Sequence, residues 1–313
     1  MEMTKKNLID CHNRIKPFIH NTPVLTSSYI NEITGAEVYF KCENFQKMGA
    51  FKMRGAANAI LRLSDKQKSN GVVTHSSGNH AQAISLAAKQ IGIRAYIVMP
   101  SNAPKIKKEA VKGYGGELIE CESNLEAREA AAEDIVNSKS ATFIHPSNNI
   151  DVILGQGTAS MELIDQYGSF DHILVPVGGG GLIAGSALAA KYFGDNCSVI
   201  GTEPFEVDDA YRSLISGKIE TNITINTIAD GLRTQLGDKN FPIILDEVNK
   251  IIRITEDEII DSMKLIWQRL KIICEPSCSL PLAGILKNKD EFKGKKIGVV
   301  ITGGNIDLSK LPF

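Results

Sequence analysis

The sequence carries no excess of either charge: 35 Lys and Arg against 36 Asp and Glu leave a net charge of −1. Nucleic acid and anionic membrane surfaces are normally met by a basic face, so neither is expected as the main partner. Long hydrophobic runs are missing too, and nothing approaches the roughly 20 apolar residues that span a bilayer. The first residues, MEMTKKNLIDCHNRIKPF, lack the apolar stretch of a secretory peptide and include acidic residues that a transit peptide avoids. A cytoplasmic location is the expectation. The 6 cysteines (residues 11, 42, 121, 197, 274 and 278) form no CxxC pair, which fits reduced thiols rather than a disulfide scaffold. Cys274 and Cys278 lie four apart, but Pro276 between them and the lack of nearby His argue against a metal site. Internal repeats and low-complexity linkers are also absent.

What the chain does have is 43% apolar and 23% charged residues, ordinary for a globular protein, and enough length for two domains. Short β-branched runs alternate with helical patterns. Strands are expected at Glu37–Glu43, Val72–Ser76, Ala95–Pro100, Glu117–Glu122, Thr142–His145, His172–Val177, Ser198–Glu203, Ile251–Thr255 and Ile297–Thr302. Helices are expected between most of them, among them Asn79–Gln90, Pro104–Lys112, Asn124–Val136, Val152–Gln166 and Glu256–Lys271. That alternation implies an α/β architecture with mainly parallel sheets, whose ligands gather beyond the carboxyl ends of the strands.

Five segments stand at such positions. Phe51-Lys52-Met53-Arg54-Gly55 surrounds one lysine with apolar neighbours. Lysines of that kind usually snorkel to the surface, but a lysine that attacks a carbonyl needs the same desolvation. Gly178 to Gly181 followed by Leu182 joins a strand to a helix. Successive free N–H groups there, at the positive end of a helix dipole, suit a phosphate; the plain alternative is a tight turn. No GxGxxG or Walker pattern is present, so a single phosphate monoester fits better than a pyrophosphate. In His75-Ser76-Ser77-Gly78-Asn79-His80, ordinary N-capping explains half of the residues. The functional reading has Asn79 bond a cofactor's ring hydroxyl while backbone N–H groups grip a substrate carboxylate. His75 and His80 have no metal-like partners. Thr302, in VITGGN, either closes its strand or offers a hydroxyl to a ring nitrogen. Glu203-Pro204-Phe205-Glu206-Val207-Asp208-Asp209 sets carboxylates at the end of a strand with backbone carbonyls between them, a plausible oxygen site for Mg²⁺ or Ca²⁺, although acidic clusters are usually solvated surface.

The order of the motifs says more than any one of them. KCENFQKMGAFKMRGA, HSSGNHAQA, GQGT (Gly155–Thr158), VGGGGL, TIADGL (Thr227–Leu232), EPS (Glu275–Ser277) and TGGN follow one another along the chain. From about His20 to Asp307 the sequence resembles the fold-type II pyridoxal-phosphate (PLP) enzymes of the serine/threonine dehydratase family. Within that family it is most similar to the branch of eukaryotic-type serine racemases and threo-3-hydroxyaspartate ammonia-lyases.

The resemblance implies two three-layer α/β domains of the tryptophan synthase β-like kind: a large PLP domain over 1–64 and 149–313, and a small mobile domain over 65–148. It implies that Lys52 is the Schiff-base lysine, with Phe51 beside it, and that Gly178, Gly179, Gly180, Gly181 and Leu182 hold the phosphate. Asn79, Glu275 and Thr302 would meet the ring. Ser76, Ser77, Gly78, Asn79 and His80 would bind substrate, with Ser77 acting on the face opposite Lys52. Glu203, Val207 and Asp209 match a site for Mg²⁺ (or Ca²⁺ or Mn²⁺). Lys47, Gln82, Tyr114 and Asn305 match a nucleotide effector site for ATP, although Met48 departs from the threonine found beside it in animal racemases. SCSLP (Ser277–Pro281) departs from the small-residue run usual after the EP dipeptide. The implied protein is a homodimer acting on a small hydroxy amino acid. The implied reaction is racemisation of L-serine to D-serine with elimination of serine or threonine to a 2-oxoacid and ammonia. Threo-3-hydroxyaspartate ammonia-lyase or plain dehydratase activity is the alternative.

Overall fold

Strands buried on both faces read as continuous apolar runs, and such runs build the two sheets of this protein. The computed structural model describes residues 3–313. The strands are β1 (Val24–Leu25), β2 (Glu37–Cys42), β3 (Val72–His75), β4 (Ala95–Pro100), β5 (Glu117–Cys121), β6 (Thr142–Phe143), β7 (His172–Pro176), β8 (Ser198–Pro204), β9 (Val248–Ile254) and β10 (Lys296–Ile301). Six form one sheet in the order β1-β2-β10-β7-β8-β9, parallel except for β1; four form a parallel sheet in the order β5-β4-β3-β6. This is a two-domain α/β fold of mainly parallel sheets.

The expected strands match these within a residue or two at most ends. β9 is the exception: it starts at Val248, three residues before the expected Ile251, where a register irregularity beside Val199 and Ile200 admits polar Asn249 and Lys250. β1 was not expected at all, being two residues of antiparallel edge.

Helices pack unusually closely behind the larger sheet. The helix Lys52–Leu61 (the lysine helix) crosses Ile150–Tyr167 (the central helix), which in turn crosses Gly181–Phe193 (the cradle helix). The crossings are made backbone to backbone. A Cβ on Gly155 would lie 2.5 Å from the Cα of Gly55, and one on Gly185 would lie 2.4 Å from the carbonyl oxygen of Ile153. The central helix begins where the Asn149 side chain accepts from the Val152 N–H, and it is buried along most of its length. Both helices that carry candidate site residues at their N-termini, the lysine helix and the cradle helix, are therefore fixed against one shared support.

Candidate active site

Four of the five segments singled out above emerge at the carboxyl ends of strands β3, β7, β8 and β10, and the fifth follows β2 through two short 3-10 turns. Phe51 is anchored by its N–H, which donates to the Thr302 carbonyl at 2.9 Å, while Ala50 bridges Gly303. This places Lys52 as the first residue of its helix, half-buried, with Nζ donating to the Pro146 carbonyl at 2.8 Å and 5.1 Å from the centre of the Phe51 ring. Burial brings the Lys52 amine down from the usual lysine range to about 8, against the upward pull of Glu275. Such an amine is neutral often enough to be a nucleophile near neutrality.

Around Lys52 stand two histidines kept neutral. Burial, helped by the Lys52 charge, holds His80 well below the ordinary imidazole range; its Nε2 lies 3.2 Å from the Ile144 carbonyl, and its buried Nδ1 has no partner. Burial likewise takes His145 down to about 4, and its Nδ1 accepts the N–H groups of Ser147 and Asn148 at 3.2 and 2.8 Å.

The glycine loop leads into the cradle helix without a side-chain cap, so the helix N-terminus keeps its free N–H groups. Side chains cannot enter here. A Cβ on Gly179 would sit 2.4 Å from Ser147 Oγ, and Gly180 has φ +79°, where a side chain is strained. The uncapped backbone N–H groups of this cradle thus fit a phosphate group.

After β3, Gly78 precedes the helix Asn79–Ile91, again with no capping side chain, and open space lies where its Cβ would be. Ser76 Oγ accepts the Gly78 N–H at 3.3 Å, shaping a turn that can take a carboxylate. Ser77 lies at the middle of that turn. Asn79 Nδ2 donates to the buried carboxyl of Glu275, and its Oδ1 accepts from Asn305 Nδ2 at 2.9 Å. Thr302 is buried, with its hydroxyl 3.2 Å from Cys278 Sγ. Of the residues matched to an effector site, Asn305 bonds the Met48 carbonyl as well as Asn79. Lys47, Gln82 and Tyr114 come from three other segments: a short turn, the first turn of the helix Asn79–Ile91, and the end of the helix Lys105–Gly113.

Beyond β8, Glu203 is fully buried and accepts the N–H groups of Ala210 and Tyr211 at 3.0 and 2.9 Å. Asp209 is equally buried; one oxygen accepts from the Leu236 N–H at 3.1 Å and the other, Oδ1, has no partner. Burial, together with the neighbouring Asp209 carboxylate, pushes Glu203 well above the carboxylate range, and burial raises Asp209 to about 6. Among the described residues no group of three or more His, Cys, Asp or Glu side chains converges.

Motif reading missed the charges beneath Lys52. Arg54 is fully buried and spends all five donors: two on Glu43 (2.7 and 2.8 Å), two on Glu162 (both 2.8 Å) and one on Thr158 (3.2 Å). Lys41 completes a neutral set by pairing with Glu162 at 2.8 Å. The signal was present as Lys41 near the end of β2 and Glu43 just after it, following the apolar run Val38–Phe40.

A half-buried lysine with a lowered amine and an uncapped glycine loop, both following strands of one mainly parallel sheet, is the arrangement of a fold-type II PLP enzyme. The chain belongs to the family of pyridoxal-phosphate dependent enzymes, whose model matches residues 15–303. It is 50% identical to a serine racemase of Dictyostelium discoideum over 99% of this chain and 97% of that one. A beta-hydroxyaspartate dehydratase of Paracoccus denitrificans is 46% identical over 99% and 98% of the two chains. The crystal structure of the Dictyostelium discoideum serine racemase superposes with a TM-score of 0.94, covering 98% of this chain and 99% of that one.

Proposed function

We propose that this chain racemises L-serine to D-serine and also eliminates the β-hydroxyl of serine or threonine, releasing a 2-oxoacid and ammonia. The observation that carries the reading is the Lys52 amine, brought to about 8 beside an uncapped turn that contains Ser77. The match to the Dictyostelium discoideum serine racemase, in sequence and in structure, supports it.

PLP, when bound to Lys52, supplies the electron sink that makes a Cα proton removable. The remaining work falls to the chain. The glycine loop, Gly178 to Gly181 with Leu182, holds the phosphate; Asn79, Glu275 and Thr302 orient the ring, with Phe51 beside it. Ser76, Gly78 and His80 shape the turn that binds the substrate carboxylate. Lys52 takes the Cα proton on one face. If Ser77 returns a proton to the other face, the configuration inverts; if the β-hydroxyl leaves with a proton, elimination follows. Closure of the 65–148 unit, which contains the four-stranded sheet, shields the site from water.

Glu203, the Val207 carbonyl and Asp209 hold a Mg²⁺ (or Ca²⁺ or Mn²⁺) ion; the unpartnered Asp209 Oδ1 supports this. A cytosolic homodimer is the working form, with Lys47, Gln82, Tyr114 and Asn305 as the place to test ATP. The 46% identity to a beta-hydroxyaspartate dehydratase favours one second reading, ammonia release from 3-hydroxyaspartate. Turnover of L-serine, L-threonine and 3-hydroxyaspartate side by side, with D-serine resolved by chiral chromatography and 2-oxoacid measured, separates the two. Absence of D-serine together with preferred turnover of 3-hydroxyaspartate overturns the racemase reading.

A further inference from the structure

Asn240 belongs to no motif described above, yet it is fully buried against the glycine loop. Its Nδ2 donates to the Gly179 carbonyl at 2.8 Å and, at a longer 3.4 Å, to the Ser147 carbonyl. Its Oδ1 accepts the Gly237 N–H at 3.1 Å. Two carbonyls on one side and an N–H on the other admit only this orientation of the amide. One side chain therefore joins the loop after β7, the turn after β6 and the segment that enters the helix Phe241–Glu247.

In a trans peptide unit the C=O and the following N–H lie in one plane and point in opposite directions. Fixing the Gly179 carbonyl onto Asn240 thus points the Gly180 N–H away from Asn240, toward the open side of the loop. The next plane is set likewise, because the Gly180 carbonyl accepts from the Ala184 N–H at 3.1 Å, which turns the Gly181 N–H out of the helix end. Two consecutive N–H groups then share one direction, as an anion nest requires. We propose that Asn240 is a positioning residue for the cofactor phosphate, acting through the Gly179 carbonyl to aim the Gly180 N–H. The inference rests on the glycine loop being the phosphate site.

The test titrates the full chain, stripped of cofactor, with PLP and with pyridoxal, which lacks the phosphate, following the visible absorbance. Asn240→Asp keeps an acceptor for Gly237 but sets a carboxylate oxygen against the Gly179 carbonyl; Asn240→Ala removes both contacts. In each, the ratio of PLP to pyridoxal affinity should fall at least about tenfold, the scale of one charge-assisted hydrogen bond. A ratio within about threefold of the unmodified chain, or equal weakening of both ligands, overturns the role, since lost packing alone weakens both. Where Asn240→Asp does not fold, Asn240→Ala is judged by the same ratio. Gly180→Ala tests the underlying reading. If its ratio is unchanged, the loop does not hold the phosphate; if it alone loses the ratio, only the part given to Asn240 is wrong.

Discussion

Asn79 grips both oxygens of Glu275, its Nδ2 lying 2.9 Å from one and 3.1 Å from the other. The pair joins the turn after β3 of the smaller sheet to the segment that follows the helix Glu256–Leu270 of the larger one. Asn305 fixes the opposite side of the Asn79 amide, so Glu275 meets a donor that cannot turn away. Burial nevertheless pushes the Glu275 carboxyl up to about 7, because one amide does not replace the water it has lost.

That rise sets a pH dependence for the cofactor-free protein. A carboxyl raised on folding adds stability below its unfolded value near 4.5, and that stability is lost as pH climbs through about 7. The loss is on the order of 3 kcal/mol. Thermal melts between pH 5 and 8 should fall less steeply for Glu275→Gln than for the unmodified chain; parallel slopes would contradict the shift.

Attachment of PLP should report the Lys52 amine directly. Because the amine must be neutral to react, the attachment rate to the stripped chain should rise with pH and level off above about 8. An unperturbed lysine would not level off until beyond about pH 10. Lys52→Ala should lose both the covalent absorbance band and turnover, and normal activity in that variant would remove the assignment.

Ser77→Ala should separate the two outcomes of a shared proton removal. D-serine formation should drop by at least about a hundredfold, the usual weight of a positioned proton donor, while elimination from L-serine persists. Equal loss of both products, or of neither, would count against a role for Ser77 on the second face.

The buried acidic pair predicts coupling between cation and pH. Glu203 and Asp209 are both raised, so without a cation each adds stability at low pH that is lost as pH rises through its folded value, about 6 for Asp209. A divalent cation should offset that loss. Removing it with a chelator should lower the melting temperature more at pH 8 than at pH 5.5, and Asp209→Asn should abolish the difference.

Gly155→Ala probes the crossing beneath Lys52. The added carbon would meet Gly55 Cα at 2.5 Å and the Arg54 carbonyl at 2.7 Å, both backbone atoms with no rotamer to yield. A cost of about 3 kcal/mol or more is expected, read as a lower melting temperature and weaker PLP retention. A neutral outcome would mean that the two helices slide apart freely.

Much of this was legible in the sequence because the chemistry is carried by local runs. The strand before the glycine loop and the loop itself are contiguous, so their order predicts their geometry. The edge strand Val24–Leu25 was not legible, since two residues carry no alternation. Arg54 could have been suspected from a charge inside an apolar helix, but its partners Glu43 and Glu162 lie 11 and 108 positions away. Asn240 gives no local sign at all; its importance comes from carbonyls at residues 147 and 179 that only the folded chain brings near.

The glycine crossings have a consequence for how this enzyme can change. Lys52 and the glycine loop proposed to hold the phosphate are spaced by bare main chain, through Gly55 against Gly155 and Gly185 against Ile153. No side chain at those contacts can be enlarged or trimmed, so the span between the two anchor points is not adjustable by substitution. On the proposed site, new substrates must then be accommodated on the turns of the four-stranded sheet. Laboratory evolution of this chain should accordingly collect its useful changes there and leave the three crossed helices untouched.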